Sequence, residues 1–363
     1  MKAKLIFTVL LGFITALMFV GCEGDIGPQG PVGATGAQGP QGVQGPAGSN
    51  GADGADGQGT QNCMECHGSN QVITTKVFHW EVSNHAIGGT YVRNNATCSA
   101  CHTSQGFLDR IATGSMSASG TIEEPLPINC YTCHEIHQTY TDADWALTSQ
   151  DPITLWVGGA TVDIGTGNQC INCHQARVPS PALPAPGDAG MFNLTNKRYG
   201  PHHGAQGMAF TGEGGFEIGE GYSNSVHTAA IQNSCTTCHM ATVEGGRETG
   251  GHTFKVAFKD EDGDLVLNAN GCVMCHSDTD ALETLVEDTQ TEIGGLLNQL
   301  GTKLNELGLI DDELEYAVVP NDVTAMQLGI IWNYQYVKED QSLGVHNYKY
   351  VKTLLENSLA ALN

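Results

Sequence analysis

Six copies of the pattern Cys-x-x-Cys-His run through this chain and account for twelve of its thirteen cysteines. The cysteine pairs are Cys63/Cys66, Cys98/Cys101, Cys130/Cys133, Cys170/Cys173, Cys235/Cys238 and Cys272/Cys275. The histidines that follow them are His67, His102, His134, His174, His239 and His276. At this spacing two thiols can reach the vinyl groups on one side of a porphyrin while the next imidazole turns onto the iron. The sequence therefore predicts six haem c groups, each with one iron and a proximal histidine.

Other uses of paired cysteines fit this pattern less well. Zinc ribbons, redox dithiols and disulfide frameworks also employ Cys-x-x-Cys, but none of them requires a histidine after every pair. The units begin 35, 32, 40, 65 and 37 residues apart. These intervals suit one haem per segment rather than zinc knuckles matched in twos.

The N-terminal 21 residues have the pattern of a secretory signal. Lys2 and Lys4 precede an apolar stretch from 5 to 20, which is too short and wrongly flanked for a membrane span. Its end, Gly21-Cys22, is similar to a bacterial lipobox, with Phe19 where leucine is usual. We therefore expect lipidation at Cys22 and a membrane anchor. The alternative is an ordinary signal peptide cleaved nearby, which leaves Cys22 as an unpaired thiol.

Residues 22–59 are predicted to form a lipid-anchored, collagen-like stalk. Glycine occupies every third position from Gly24 to Asp56, in eleven Gly-x-y triplets. Only glycine fits the crowded axis of a collagen triple helix, so the period has a structural meaning. Proline fills just four of the second positions. A homotrimer through the stalk and a flexible single-chain tether therefore both remain open.

The formal net charge of the chain is −24. A surface this acidic argues against binding to nucleic acid or to anionic lipid headgroups. It favours cationic partners or metal ions, and solubility alone is an equally good explanation.

The histidines outside the six units are candidates for the second axial position of each iron. We expect His85, His137, His227, His252 and His346 to be distal ligands, with one of His202 and His203 as the sixth. His137 lies three residues after His134, a link too short to pass around a porphyrin edge, so it can ligate only a neighbouring haem. His79 is predicted to be a packing residue. Ligation by histidine alone keeps reduction potentials lower than Met/His ligation does.

The predicted fold is that of a multihaem cytochrome c, with irregular loops and short helices wrapped around six haems over residues 60–277. Residues 278–363 are predicted to form C-terminal helices that pack on this region. The first begins near Asp278, and two more cover 321–338 and 346–362. Alternating residues around 260–264 predict a hairpin between 254 and 267.

Several stretches resemble the multihaem c-type cytochromes that metal-respiring bacteria carry at the outer membrane and cell surface. They are Cys98–Phe107, Gly200–Gln206, Gly250–Phe254, Trp332–Tyr334 and Ser342–Asn347. The resemblance implies bis-histidine haems in a chain and electron transfer to or from the cell exterior. The tail is also similar to the ammonia-forming nitrite reductases and hydroxylamine oxidoreductases. This sequence lacks their Cys-x-x-Cys-Lys unit, which puts a catalytic role in doubt.

Three functional hypotheses follow. The first is an electron carrier rather than an enzyme, located at the cell surface as an outer-membrane lipoprotein or released outside the cell. Its expected partners are other cytochromes, an outer-membrane electron conduit, or extracellular metal ions and minerals. The second is a reductase of nitrite, hydroxylamine or tetrathionate with one open haem, for which Arg177, Lys197 and Arg198 could attract the anion. The third is a subunit of an extracellular cytochrome filament.

Overall fold

The computed structural model describes His67 and residues 72–87, 91–242 and 248–362. The predicted signal segment, the lipidation site Cys22, the stalk at 22–59, and the first pair, Cys63 and Cys66, lie outside these residues.

Short helices and loops make up the first two thirds of the described chain, and three longer helices make up the end. The α-helices are α1 (Val72–Glu81), α2 (Asn84–Ile87), α3 (Ala96–His102), α4 (Ser104–Thr113), α5 (Cys130–Cys133), α6 (Asn168–Ile171), α7 (Gln206–Thr211), α8 (Val226–Ala230), α9 (Cys235–His239), α10 (Thr279–Glu306), α11 (Ala325–Asp340) and α12 (Tyr348–Ala361). The strands are β1 (Ile153–Thr154), β2 (Thr161–Val162), β3 (Met191–Leu194), β4 (Ala257–Lys259), β5 (Leu265–Leu267) and β6 (Asn321–Thr324). They form three antiparallel pairs, β1 with β2, β3 with β6, and β4 with β5. This mixture of helices and irregular chain agrees with the coarse fold expected from the sequence.

Helix α11 is the centre of the hydrophobic core. Apolar side chains surround it on every side, and it contacts α7, α10 and α12 as well as β3 and β6. A helix that is apolar all round is stable only when other elements cover it. The core joins residues 155–216 with residues 293–355, so the C-terminal helices share one core with the middle of the chain.

Polar side chains of α11 form hydrogen bonds with the backbone of the loop at 213–216. Asn333 accepts a hydrogen bond from the amide of Phe216 (2.7 Å) and donates to its carbonyl (2.8 Å). Trp332 donates to the carbonyl of Gly214 (2.8 Å), and Tyr336 donates to that of Glu213 (2.8 Å). Buried amides and carbonyls need such partners, so the polar groups of Trp332, Asn333 and Tyr336 have a packing role here.

The start of α10 confirms one prediction and the start of α11 corrects another. Asp278 caps α10 by accepting from the amide of Ala281 (3.0 Å). Residues 321–324 were predicted to be helical, but they form β6, and α11 begins only at Ala325 behind the N-cap Thr324. The cause is pairing with β3, a segment more than 120 residues away in the sequence. The predicted hairpin is present as β4 and β5.

No helix among the described residues has the length and apolar character needed to cross a membrane.

Candidate haem-binding site

Each Cys-x-x-Cys-His unit for which the structure describes both cysteines forms a single helical turn. The histidine amide of the third unit donates to the carbonyl of Cys130 (2.9 Å), and the same bond joins His174 to Cys170 (3.0 Å) and His276 to Cys272 (2.9 Å). The second unit lies at the end of α3 and the fifth coincides with α9. Residues three and four apart share one helix face, so this turn directs both thiols and the imidazole to the same side.

Asparagine caps hold the second and third units. The side chain of Asn95 accepts from the amides of Thr97 (3.1 Å) and Cys98 (3.0 Å) at the start of α3. Asn129 accepts from the amide of Tyr131 (3.0 Å), and its own amide donates to Thr132 (3.0 Å). These bonds satisfy amides that a short helix leaves without intrahelical partners.

The cysteines of the units differ in exposure. Cys130 and Cys275 are exposed, whereas the other described cysteines are half-buried, and the ten described cysteines form no disulfide. The amide of Cys275 donates to the carbonyl of Cys272 (3.0 Å), so the sixth unit keeps its helical turn. Attachment of haem at Cys130 and Cys275, as at the other cysteines, is a prediction of the sequence pattern.

Five of the six unit histidines face a histidine from another part of the chain at nearly the same distance. The ring centres are 6.3 Å apart for His67 and His137, 6.3 Å for His174 and His85, 6.2 Å for His134 and His252, 6.3 Å for His276 and His227, and 6.3 Å for His239 and His346. The five partners are the five histidines that the sequence singled out as distal candidates. We call these arrangements the histidine pairs.

This distance between ring centres is the one expected when two imidazoles bind one metal ion from opposite sides. A metal–imidazole bond is about 2 Å long and the bonding nitrogen lies about 1 Å from the ring centre, which places the two ring centres roughly 6 Å apart. Within the described ranges, no three His, Cys, Asp or Glu side chains converge into a metal cage. Two protein ligands per iron are what a porphyrin requires, because its own nitrogens occupy the other positions. The residues therefore fit the group that the sequence implies.

The second unit departs from this regularity. Across the described residues, no imidazole lies opposite His102 at the separation of the five pairs, although His202 and His203 are its electrostatic neighbours. The carboxylate of Glu339 contacts Nδ1 of His203 and raises the pKa of that imidazole, which is otherwise mostly exposed. The pKa of His202 is instead lowered to about 4, chiefly by desolvation and also by the nearby Arg177, His203 and His102. His202 is thus the neutral imidazole of the two, and metal ligation requires the neutral form.

Several other candidate ligands are also kept neutral. The pKa values of His85, His102 and His252 are each lowered to about 4, in every case chiefly by desolvation and secondarily by nearby cationic or imidazole groups. Burial also lowers the pKa of His79, with a smaller contribution from Lys76. His79 is 5% exposed and belongs to none of the histidine pairs, as expected of a packing residue.

Oxygen acceptors orient many of these rings through Nδ1. The acceptors are the carbonyls of Trp145 for His134 (2.7 Å), Phe254 for His239 (2.9 Å) and Val345 for His227 (3.1 Å), the side chain of Gln206 for His174 (3.2 Å), and the carboxylate of Asp340 for His346 (2.6 Å). A ring that donates from Nδ1 presents an unprotonated Nε2. The protonation of these rings therefore suits ligation through Nε2.

His137 is held by a carboxylate that sequence reasoning missed. Its backbone has a positive φ of 63°, which is uncommon for a residue other than glycine. The buried side chain of Asp144 accepts from the amides of His137 (2.9 Å), Thr139 (2.7 Å) and Tyr140 (3.0 Å). Burial raises the pKa of Asp144, but these bonds and one from the Thr139 hydroxyl outweigh it, and the pKa is lowered overall.

Neighbouring units meet at their sulfur atoms. The thiols of Cys173 and Cys101 lie close enough to shift each other's pKa, and so do those of Cys170 and Cys235. The thiols of Cys238 and Cys272 are related in the same way. The fourth unit is therefore adjacent to the second and fifth units, and the fifth is adjacent to the sixth.

Two of the basic residues considered for an anion site act near the second unit. Arg177 contributes to lowering the pKa values of Cys101, His102 and His202, and Arg198 opposes the raised pKa of the adjacent His203. Lys197 and Arg198 lie over the ring of Tyr316, 5.1 and 5.9 Å from its centre. Arg110 is buried beside the second and fourth units, and its Nε has no acceptor. An acidic group of a bound porphyrin is a suitable partner for that donor.

Comparison with known proteins supports the fold. No protein family and no curated protein matches the sequence. Among solved structures, the chain is similar to the outer cell wall cytochrome OcwA, with a TM-score of 0.50 and 20% sequence identity. The match covers 78% of this chain and 50% of that one, so this chain spans about half the length of its structural neighbour. At this identity the similarity shows a shared fold.

Proposed function

We propose that this protein is an electron carrier that holds six c-type haems, each ligated by two histidines. One observation supports this most directly, namely the recurrence of a single spacing of 6.2–6.3 Å in five histidine pairs. Each pair joins a histidine of an attachment unit to one from elsewhere in the chain. Chance packing of imidazoles would not reproduce both the distance and the pairing rule.

In this proposal every attachment unit supplies two thioether bonds and one axial imidazole. The distal imidazoles are His137, His202, His252, His85, His346 and His227, in the order of the six units. When bound, the group supplies an iron that gains and loses one electron. The protein closes both faces of that iron with imidazole, which leaves no coordination position for a substrate. Electron exchange is the activity that such a closed site favours.

The contacts between units support a connected series of sites. The sulfur contacts join the fourth unit to the second and fifth, and the fifth to the sixth. His137 follows His134 by three residues and faces His67, which joins the third unit to the first. The pKa of Cys133 is raised to about 11 by burial of its thiol and by the nearby Cys130. Cys133 in turn contributes to raising the pKa values of Cys170 and Cys173. The fourth unit is therefore a junction between three arms.

We further propose that the protein acts at the cell surface, anchored through a lipid at Cys22 and held outward by its collagen-like stalk. The signal pattern and the Gly-x-y period support this location. The net charge of −24 favours cationic acceptors. Partner cytochromes, an outer-membrane conduit and extracellular metal ions or minerals are the proposed partners. A Cys22→Ser variant should leave the membrane fraction, whereas a Ser49→Ala variant in the stalk should stay with it.

A reductase is the second candidate, and the second unit favours it. His102 lacks an imidazole at the common spacing among the described residues, and Arg177 lies nearby. If His202 does not ligate, this unit keeps an open position beside a cation that attracts small anions.

Spectroscopy on the purified full-length protein with its bound groups separates these candidates. The expected result is a mass six haems above that of the lipidated polypeptide, with all the ferric iron low-spin by electron paramagnetic resonance. A matched control, Cys98→Ala with Cys101→Ala, should lower the mass by one haem. A high-spin ferric signal from about one haem would favour the reductase, and a mass without haem would reject both candidates.

A further inference from the structure

Asp340, at the last residue of α11, places a buried carboxylate directly against a proposed axial ligand. Its Oδ1 accepts from Nδ1 of His346 at 2.6 Å, and its side chain has no solvent exposure. The ring of His346 faces that of His239 at 6.3 Å. The carboxylate therefore contacts one proposed ligand of the fifth unit directly, through the ring nitrogen Nδ1.

The surrounding turn prevents this carboxylate from moving away. Its second oxygen accepts from the hydroxyl of Ser342, which in turn accepts from the amide of His346 (3.2 Å). The carbonyl of Ser342 accepts from the side chain of Gln290 on α10 (3.3 Å). The fold thus fixes Asp340, Ser342 and His346 relative to one another.

In the histidine pairs, four other Nδ1 atoms have neutral oxygen acceptors. Those of His134, His239 and His227 donate to backbone carbonyls, and that of His174 donates to an amide side chain. A carboxylate draws the Nδ1 proton more strongly and raises the basicity of the nitrogen that binds the metal. Because the site is buried, solvent does not screen the negative charge. Both effects favour the oxidised iron.

We propose that Asp340 is a positioning residue that holds the reduction potential of the fifth site below those of the sites whose histidines donate to neutral oxygens. This inference rests on the proposed function, since it takes His239 and His346 as ligands of one haem iron. The fifth unit contacts both the fourth and the sixth. An interior site of the series is therefore reduced after, and oxidised before, the third, fourth and sixth sites.

The direct test is Asp340→Asn in the full-length protein with its haems, followed by a spectroelectrochemical titration. Asparagine keeps an oxygen that accepts from His346 and removes the charge. We expect the midpoint of one haem in six to shift upward, with the others unchanged and all iron low-spin. Asp288→Asn, at an exposed position on α10, is the matched control and should shift none.

A second variant predicts a shift of opposite sign. Ser342→Ala removes one hydrogen bond from the carboxylate and leaves more negative charge facing His346, so the same midpoint should move downward. A purely structural role would move the midpoint in neither direction, or in the same direction for both variants. Unchanged potentials in both variants overturn the inference. The haem count and spin state of the unaltered protein test the proposed function separately.

Discussion

The imidazole of His137 faces that of His67 with ring centres 6.3 Å apart, although His137 lies only three residues beyond His134. His134 itself faces His252 (6.2 Å). One short segment thus supplies imidazoles to two separate pairs. This is the geometry expected if His137 serves a neighbouring haem, and it brings the first and third units close together.

Replacing His137 should open the first site alone. In the His137→Ala variant we expect one of six haems to become high-spin, because its iron loses an axial nitrogen while His134 keeps its own partner. Electron paramagnetic resonance of the oxidised protein measures this directly. His79→Gln is the control and should leave all iron low-spin. Six low-spin haems in His137→Ala would show that His137 is not a ligand.

His202 and His203 should differ sharply despite being adjacent. His203 contacts Glu339, whereas the pKa of His202 is lowered to about 4. We therefore expect His202→Ala to convert one haem to the high-spin form and His203→Ala to leave every haem low-spin. The same spectra and a cyanide-binding titration, which reports open iron positions, distinguish the variants. The reverse pattern would assign the ligand to His203.

Acid should release His137 through Asp144. The pKa of Asp144 is below its ordinary value of 3.8 in the folded protein, so its contribution to stability is present above that value and is lost as the pH falls below it. We expect one haem to lose low-spin ligation in this acidic range. Asp144→Asn, which cannot accept all the same hydrogen bonds, should show weakened ligation already at neutral pH. An acid transition at one haem that is the same in both proteins would argue against this role.

Two glycines on neighbouring helices provide a packing test. A Cβ at Gly329 on α11 would lie 2.1 Å from Cδ1 of Phe216, and such overpacking costs about 1–3 kcal/mol. A Cβ at Gly295 on α10 meets nothing within 4 Å, and alanine there should stabilise the helix by about 0.5–1 kcal/mol. Denaturant unfolding of Gly329→Ala and Gly295→Ala should therefore shift in opposite directions. Equal shifts would contradict the packing of Phe216 against α11.

The sequence by itself determined the local features. Six units with cysteines three apart and a histidine next follow directly from the printed residues, and helical geometry alone places those groups on one face. The cap at Asp278 and the hairpin around 260–264 were also readable, because their hydrogen bonds join residues close in the chain. The set of distal candidates followed from counting histidines against units.

Only the tertiary structure decided which groups meet. It paired five candidates with particular units, separated His202 from His203 through Glu339, and placed Asp144 and Asp340 against His137 and His346. It also turned 321–324 into a strand, through pairing with the distant β3. These relationships depend on contacts between segments far apart in sequence, and local periodicity carries no information about such contacts.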